Sequence, residues 1–155
     1  MPRITTLSAY STQHFARGAL ARATTYTLAG ALTPPLASSM GAYHRVEWQK
    51  GWSAFQAALD DNQIVLPPHM HFPVQVGAIS VSSAHPRLAW ITVRDAGGRE
   101  FVVRQISRCL LRMPAGAMLA QDTADAINQA HAVAAQRMVT MAMRSTREQR
   151  ATMGG

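Results

Sequence analysis

Two runs of alternating residues, Leu88–Asp95 and Glu100–Arg108, flank Ala96-Gly97-Gly98-Arg99. A period of two sends successive side chains to opposite faces of a strand, and glycines in a short connection are free to take the positive φ of a tight turn. The stretch reads as a β-hairpin. A lone hairpin is marginal in water, so the rest of the chain has to cover it. On the first strand Ala89, Ile91 and Val93 share one face, and Leu88, Trp90, Thr92 and Arg94 the other. On the second, Phe101 and Val103 oppose Val102, Arg104, Ile106 and Arg108.

Residues 74–82 alternate in the same way and mix apolar residues on both sides, which predicts a strand buried on both faces. Gln63–Leu66 is a short apolar run stopped by Pro67-Pro68, and His85-Pro86 makes a turn. Helical periods lie outside this block. Residues 42–59 place Trp48 and Trp52 four apart on one helix face, and Asp60-Asp61-Asn62 closes that helix. Residues 12–32 show a weaker amphipathic pattern through Phe15, Ala19, Leu20 and Ala23, weakened by Gly18 and ended by Pro34-Pro35. After a break at Met113-Pro114-Ala115-Gly116, Ile127, Ala130, Ala134, Met138 and Met141 predict a helix over 122–145, with Asp122 as its cap and Asp125 near its positive end.

This order predicts an α+β fold: a small antiparallel sheet of three or four strands, two N-terminal helical segments and one long C-terminal helix, with the helices on one face of the sheet. A length of 155 residues suits one domain. We place it at 42–150, after a basic arm at 1–41 and before a frayed tail at 151–155.

The arm contains no acidic residue; Glu47 is the first carboxylate in the chain. It carries Arg3, Arg17 and Arg22, cations without local partners, which points to an anionic partner such as a nucleic acid, a membrane surface or an import receptor. The formal net charge is +7, carried by 14 Arg and one Lys. Arginine grips phosphate and carboxylate through a planar fork, although GC-rich coding also raises Arg, Ala and Gly together. Arg104 and Arg108 share a strand face in the hairpin reading, with Arg94 beside them; near Trp90 they would make a stacking and phosphate-binding surface. The competing assignment puts Trp90 in the core and the arginines on its rim. Arg137 and Arg144 are seven apart on one helix side, with Arg147 a turn further, a spacing that can track a phosphate backbone.

Catalytic patterns are missing. The acids look like turns and caps, Ser82-Ser83-Ala84-His85 lacks a nucleophile elbow, and no glycine-rich phosphate loop precedes a helix. His69 and His71 would face one way on a strand, with His85 as a third ligand, but no cysteine pair supports a metal there. No cofactor or metal is expected. Cys109 sits among Ile106, Leu110 and Leu111 and reads as a buried thiol. No run of eighteen apolar residues exists, so no membrane span is expected.

Charged residues make up only 15% of the chain, and three Trp and nine Met suit extensive protein contacts. We therefore expect a non-enzymatic structural subunit of a large assembly, a virus or phage particle, with other protein subunits as partners and RNA or DNA as a further one. The acid-free start, rich in Arg, Ser and Thr, also resembles a mitochondrial import presequence, which implies an imported subunit of a ribosome or respiratory complex. A free DNA- or RNA-binding protein is the third alternative.

Overall fold

The computed structural model describes residues 3–6, 13–25, 41–81 and 86–153. The elements in chain order are β1 (Ile4–Thr6), α1 (Gln13–Thr25), α2 (Ala42–Asp60), β2 (Ile64–Leu66), β3 (Gln75–Val81), β4 (Leu88–Arg94), β5 (Glu100–Ser107), a 3-10 turn (Arg108–Arg112) and α3 (Pro114–Met153). The expected α+β class holds. The sheet is antiparallel in the order β3-β4-β5, and β1 and β2 form a separate parallel pair.

Both faces of the sheet are covered, not one. Ala89, Ile91, Val93, Phe101, Val103 and Ile106 pack on Ala120, Ala124 and Ile127 of α3. Trp90 and Val102 pack on Phe15, Ala19 and Ala23 of α1 and on Phe55, Ala58 and Leu59 of α2. The buried strands are thus β4 and β5. β3, expected to be buried on both sides, is an exposed edge with Val76 and Val81 in water. A short apolar run does not reveal where its strand sits in the sheet. A bulge blunts this edge, because Gly77 and Ala78 together oppose Thr92.

A second bulge explains an error of parity. Ile91 faces Arg104 but Thr92 faces Val102, so Val103 is the extra residue of β5. Phe101 and Val103 then share a core with Ile106, whereas strict alternation puts Ile106 on the opposite side.

Two glycines set the distance between α1 and α2. A Cβ on Gly18 would lie 1.9 Å from the carbonyl oxygen of Trp48, and one on Gly51 would lie 1.9 Å from that of Phe15. The helices meet backbone to backbone, which only glycine allows. The boundary expected at residue 41 therefore separates nothing among the described residues: α1 is a core helix, and β1 pairs with β2 from Ile4↔Ile64 to Thr6↔Leu66. The expected helical residues 26–32, Pro34-Pro35 and the loop at Ser38 and Ser39 lie outside the described residues.

α2 ends as expected, with Asp61 at its C-cap and Asn62 at φ 56°. α3 begins earlier than expected. Pro114 occupies its start, where a missing amide costs nothing. Asp122 is consequently interior, not a cap, and the helix continues to Met153 instead of fraying at 151. β5 stops at Ser107, and Cys109 lies exposed in the 3-10 turn instead of buried.

The hairpin turn is locked by one carboxylate. Asp95 is buried; its Oδ1 accepts from the Arg99 amide at 2.9 Å and its Oδ2 from the His71 amide at 3.2 Å and the Arg99 guanidinium at 3.3 Å. Gly98, at φ 83°, makes the turn possible. Burial alone would raise the Asp95 pKa, but the amides of Arg99 and His71 and the Arg99 charge together hold it below the usual carboxylate value. A depressed folded pKa adds stability that is present above the unfolded value and lost as pH falls through the folded one. Asp95→Asn should cost about 1–2 kcal/mol at pH 7. In urea titrations the gap from the parent should hold from about pH 7 to 5 and close below about pH 4. A gap independent of pH would show that the charge is irrelevant.

Candidate functional site

α3 is 40 residues long, about 60 Å at 1.5 Å per residue. Its first half belongs to the domain. Asn128 clamps Val74 twice, donating from Nδ2 to the carbonyl at 2.9 Å and accepting the amide at 2.8 Å. His131 stacks on Phe72, with ring centroids 4.0 Å apart and 6° between planes. Beyond that point every residue from 131 to 152 is exposed. The outer half is about 33 Å of helix that touches little else among the described residues.

This overhang is not an ordinary polar helix. Ala120, Ala124 and Ile127, the residues that meet the sheet, continue at spacings of four and three into His131, Ala134, Met138 and Met141. That is one apolar stripe, buried at its root and bare beyond it. Met138 and Met141 are 72% and 69% exposed. Beside the stripe, Arg137, Arg144 and Arg147 are exposed as the spacing predicts. Between Asp125 and Glu148 the helix has no carboxylate. At the root an apolar groove of about 330 Å³ runs between Ile4 and Ala126, Ala130, Val133 and Ala134.

The other cations expected to bind partners are dispersed. Arg3 and Arg17 are exposed but lie on β1's flank and on α1. Arg22 is a correction: it is 1% exposed, inside the core. Its guanidinium lies 5.2 Å from the Trp90 ring centroid and 5.9 Å from that of Trp52, and its Nε donates to Gln56 Oε1. Aromatic faces and an amide supply the internal partners that an acid-free segment lacks in its own sequence. Burial pushes the Arg22 pKa down, against the opposite pull of Asp60.

The stacking surface expected around Trp90 is not assembled. Trp90 is buried toward α1 and α2, while Arg104 lies on the α3 side, donating to Thr123 Oγ1 at 3.4 Å. Arg94 pairs with Glu100 at 3.2 Å, and Arg108 sits in the 3-10 turn. Trp48 and Trp52 are buried too, stacked at 5.5 Å. The tryptophans serve the core, and Met118, Met138, Met141 and Met143 of α3 remain at the surface.

His69 and His71 are not on a strand. His69 takes φ 64° and its carbonyl accepts from Arg99, so strand alternation does not aim the two rings together. Among the described residues no group of three His, Cys, Asp or Glu could hold a metal. His85 and the Ser82-Ser83-Ala84 stretch lie outside the described residues. The rings of His14 and His44 meet at a tilt of 34°, centroids 3.9 Å apart, where α1 and α2 begin. Burial, then His44 and Arg17, lower the His14 pKa against Glu47, which favours its neutral form. No helix among the described residues is long and apolar enough to cross a membrane.

What the sequence missed is the length of the overhang. The signal was present in the spacing of Ala120, Ala124, Ile127, His131, Ala134, Met138 and Met141, which alternates between four and three residues from Ala120 to Met141. Comparison with protein-family models, with curated proteins and with solved structures finds no match for this chain.

Proposed function

We propose that this protein is a non-enzymatic structural subunit of a large assembly, most simply the shell of a virus or phage particle, and that α3 is the element it docks with. The outer half of α3 carries the reading. A helix with an apolar stripe gains most of its stability from packing, so 131–152 is a segment built to be covered. Its methionines adapt to an uneven partner surface, and its arginines complement an acidic one. The cavity beside Ile4 gives a partner side chain somewhere to enter.

Burial of α1 favours this reading over import. Phe15, Ala19 and Ala23 form one wall of the core, so removing the first 25–35 residues as a presequence would open it.

The test is the native mass of the complex in which the protein occurs, by native mass spectrometry. A large homo-oligomer or mixed particle is expected. The double variant Met138→Glu, Met141→Glu should keep the thermal stability of the head within about 0.5 kcal/mol, because both sites are exposed, and abolish incorporation into the complex. A lone monomer, or unchanged incorporation of the variant, would refute the proposal.

A further inference from the structure

Three arginines with no acidic partner among the described residues line one cavity at the open end of the hairpin. Arg87 precedes β4, while Arg108 and Arg112 bound the 3-10 turn after β5. Pairing of Leu88 with Ser107 brings these ends together. The Arg108 amide donates to the Arg87 carbonyl at 2.9 Å, and Arg108 Nη1 donates to the Pro86 carbonyl at 3.2 Å. The open cavity has a volume of about 500 Å³, and its other walls among the described residues are Pro86, Ser107 and Cys109.

Among the described residues no carboxylate lines this cavity. Asp95 is taken by Arg99, Glu100 by Arg94 and Glu47 by Lys50. Asp60 and Asp125 accept amides from Gln56 and Gln121. The three arginines are thus brought to one pocket by the hairpin frame, not by any local neutralisation. Like charges so placed repel, and an anion between them turns that repulsion into attraction. Guanidinium forks match the oxygens of a tetrahedral oxyanion, and the Ser107 hydroxyl, 3.1 Å from Cys109 Sγ, adds a neutral donor.

We infer that this pocket binds a phosphate group, carried either by a nucleic-acid backbone or by a free phosphorylated small molecule. A carboxylate, with one charge and two oxygens, would leave part of the arginine cluster uncompensated. The volume exceeds that of one phosphate and leaves room for what the phosphate is attached to. The site is separate from the α3 overhang, so its fate does not decide the docking role.

The chain contains one cysteine, and it lies in this pocket, exposed. Its alkylation by iodoacetamide therefore reports on occupancy. The rate is measured on the full-length protein at fixed ionic strength with increasing inorganic pyrophosphate, and separately with a short single-stranded DNA. Saturable slowing is expected, reaching about tenfold when the probe is near ten times its Kd. Slowing by both probes assigns the site to the phosphate group itself. Slowing by DNA alone assigns it to the polymer backbone, and by pyrophosphate alone to a free phosphorylated molecule. Arg87→Gln and Arg112→Gln change exposed side chains, and each should raise the half-saturating concentration about tenfold with the melting temperature unchanged. Unchanged labelling with both probes, or slowing that survives the double Arg87→Gln, Arg112→Gln variant, would overturn the inference.

Discussion

Gly51→Ala lowers the stability of this protein by about 3 kcal/mol, although helix propensity alone favours alanine there by about 1 kcal/mol. The two effects oppose each other, and geometry decides between them. The new methyl carbon would lie 1.9 Å from the Phe15 carbonyl oxygen and 3.0 Å from the Ala19 amide nitrogen. Those atoms are helix backbone and cannot swing aside, so α1 must move off α2. That movement loosens Phe15, Ala19 and Ala23 against Phe55 and Leu59. Gly18→Ala should act alike, since its methyl would meet the Trp48 carbonyl oxygen, also at 1.9 Å. In urea titrations the midpoint should fall with little change in slope, and in calorimetry the melting temperature should drop by about 6–12 °C. Stabilisation by either substitution would show that the helices do not meet at these glycines.

Gln56→Leu costs about 2 kcal/mol in the parent protein and almost nothing when Arg22→Met is already present. Gln56 Oε1 is the acceptor of Arg22 Nε, and Arg22 Nη2 is buried with no hydrogen-bond partner among the described residues. Removing the amide leaves a desolvated cation facing the rings of Trp52 and Trp90 and the charge of Asp60, with its Nε unpaired. A methionine fills a similar volume without that desolvation penalty, so Arg22→Met alone should change stability by no more than about 1 kcal/mol. The cycle is read by chemical denaturation of the four proteins at neutral pH. Additivity within about 0.5 kcal/mol would show that Arg22 does not depend on Gln56.

The elements were legible where local chemistry dominates. The hairpin, the Trp48/Trp52 face of α2 and the Asp61-Asn62 stop follow from spacing and turn residues alone. β1 was not legible, because three residues show no period and its partner β2 lies 58 or more residues away. The start of α3 was misread because Pro114 and Gly116 resemble a break. Yet proline fits a first turn, and Gly116 packs where a Cβ would lie 2.4 Å from the Leu110 carbonyl oxygen. Of the candidate site, the register of Arg137, Arg144 and Arg147 was readable. The pocket of Arg87, Arg108 and Arg112 was not, since it depends on the two hairpin strands meeting end to end.

Charge, composition and period belong to the residues themselves, and they determined the type and order of the longer helices and strands and the excess of arginine. Burial belongs to pairs of surfaces far apart in the chain. Only the packed fold decided that Arg22 lies between two indoles, that β3 is an edge while β4 and β5 are covered twice, and that α3 outruns the sheet. A side chain's period states which neighbours share its face. Whether that face meets protein or water depends on what the rest of the chain brings to it.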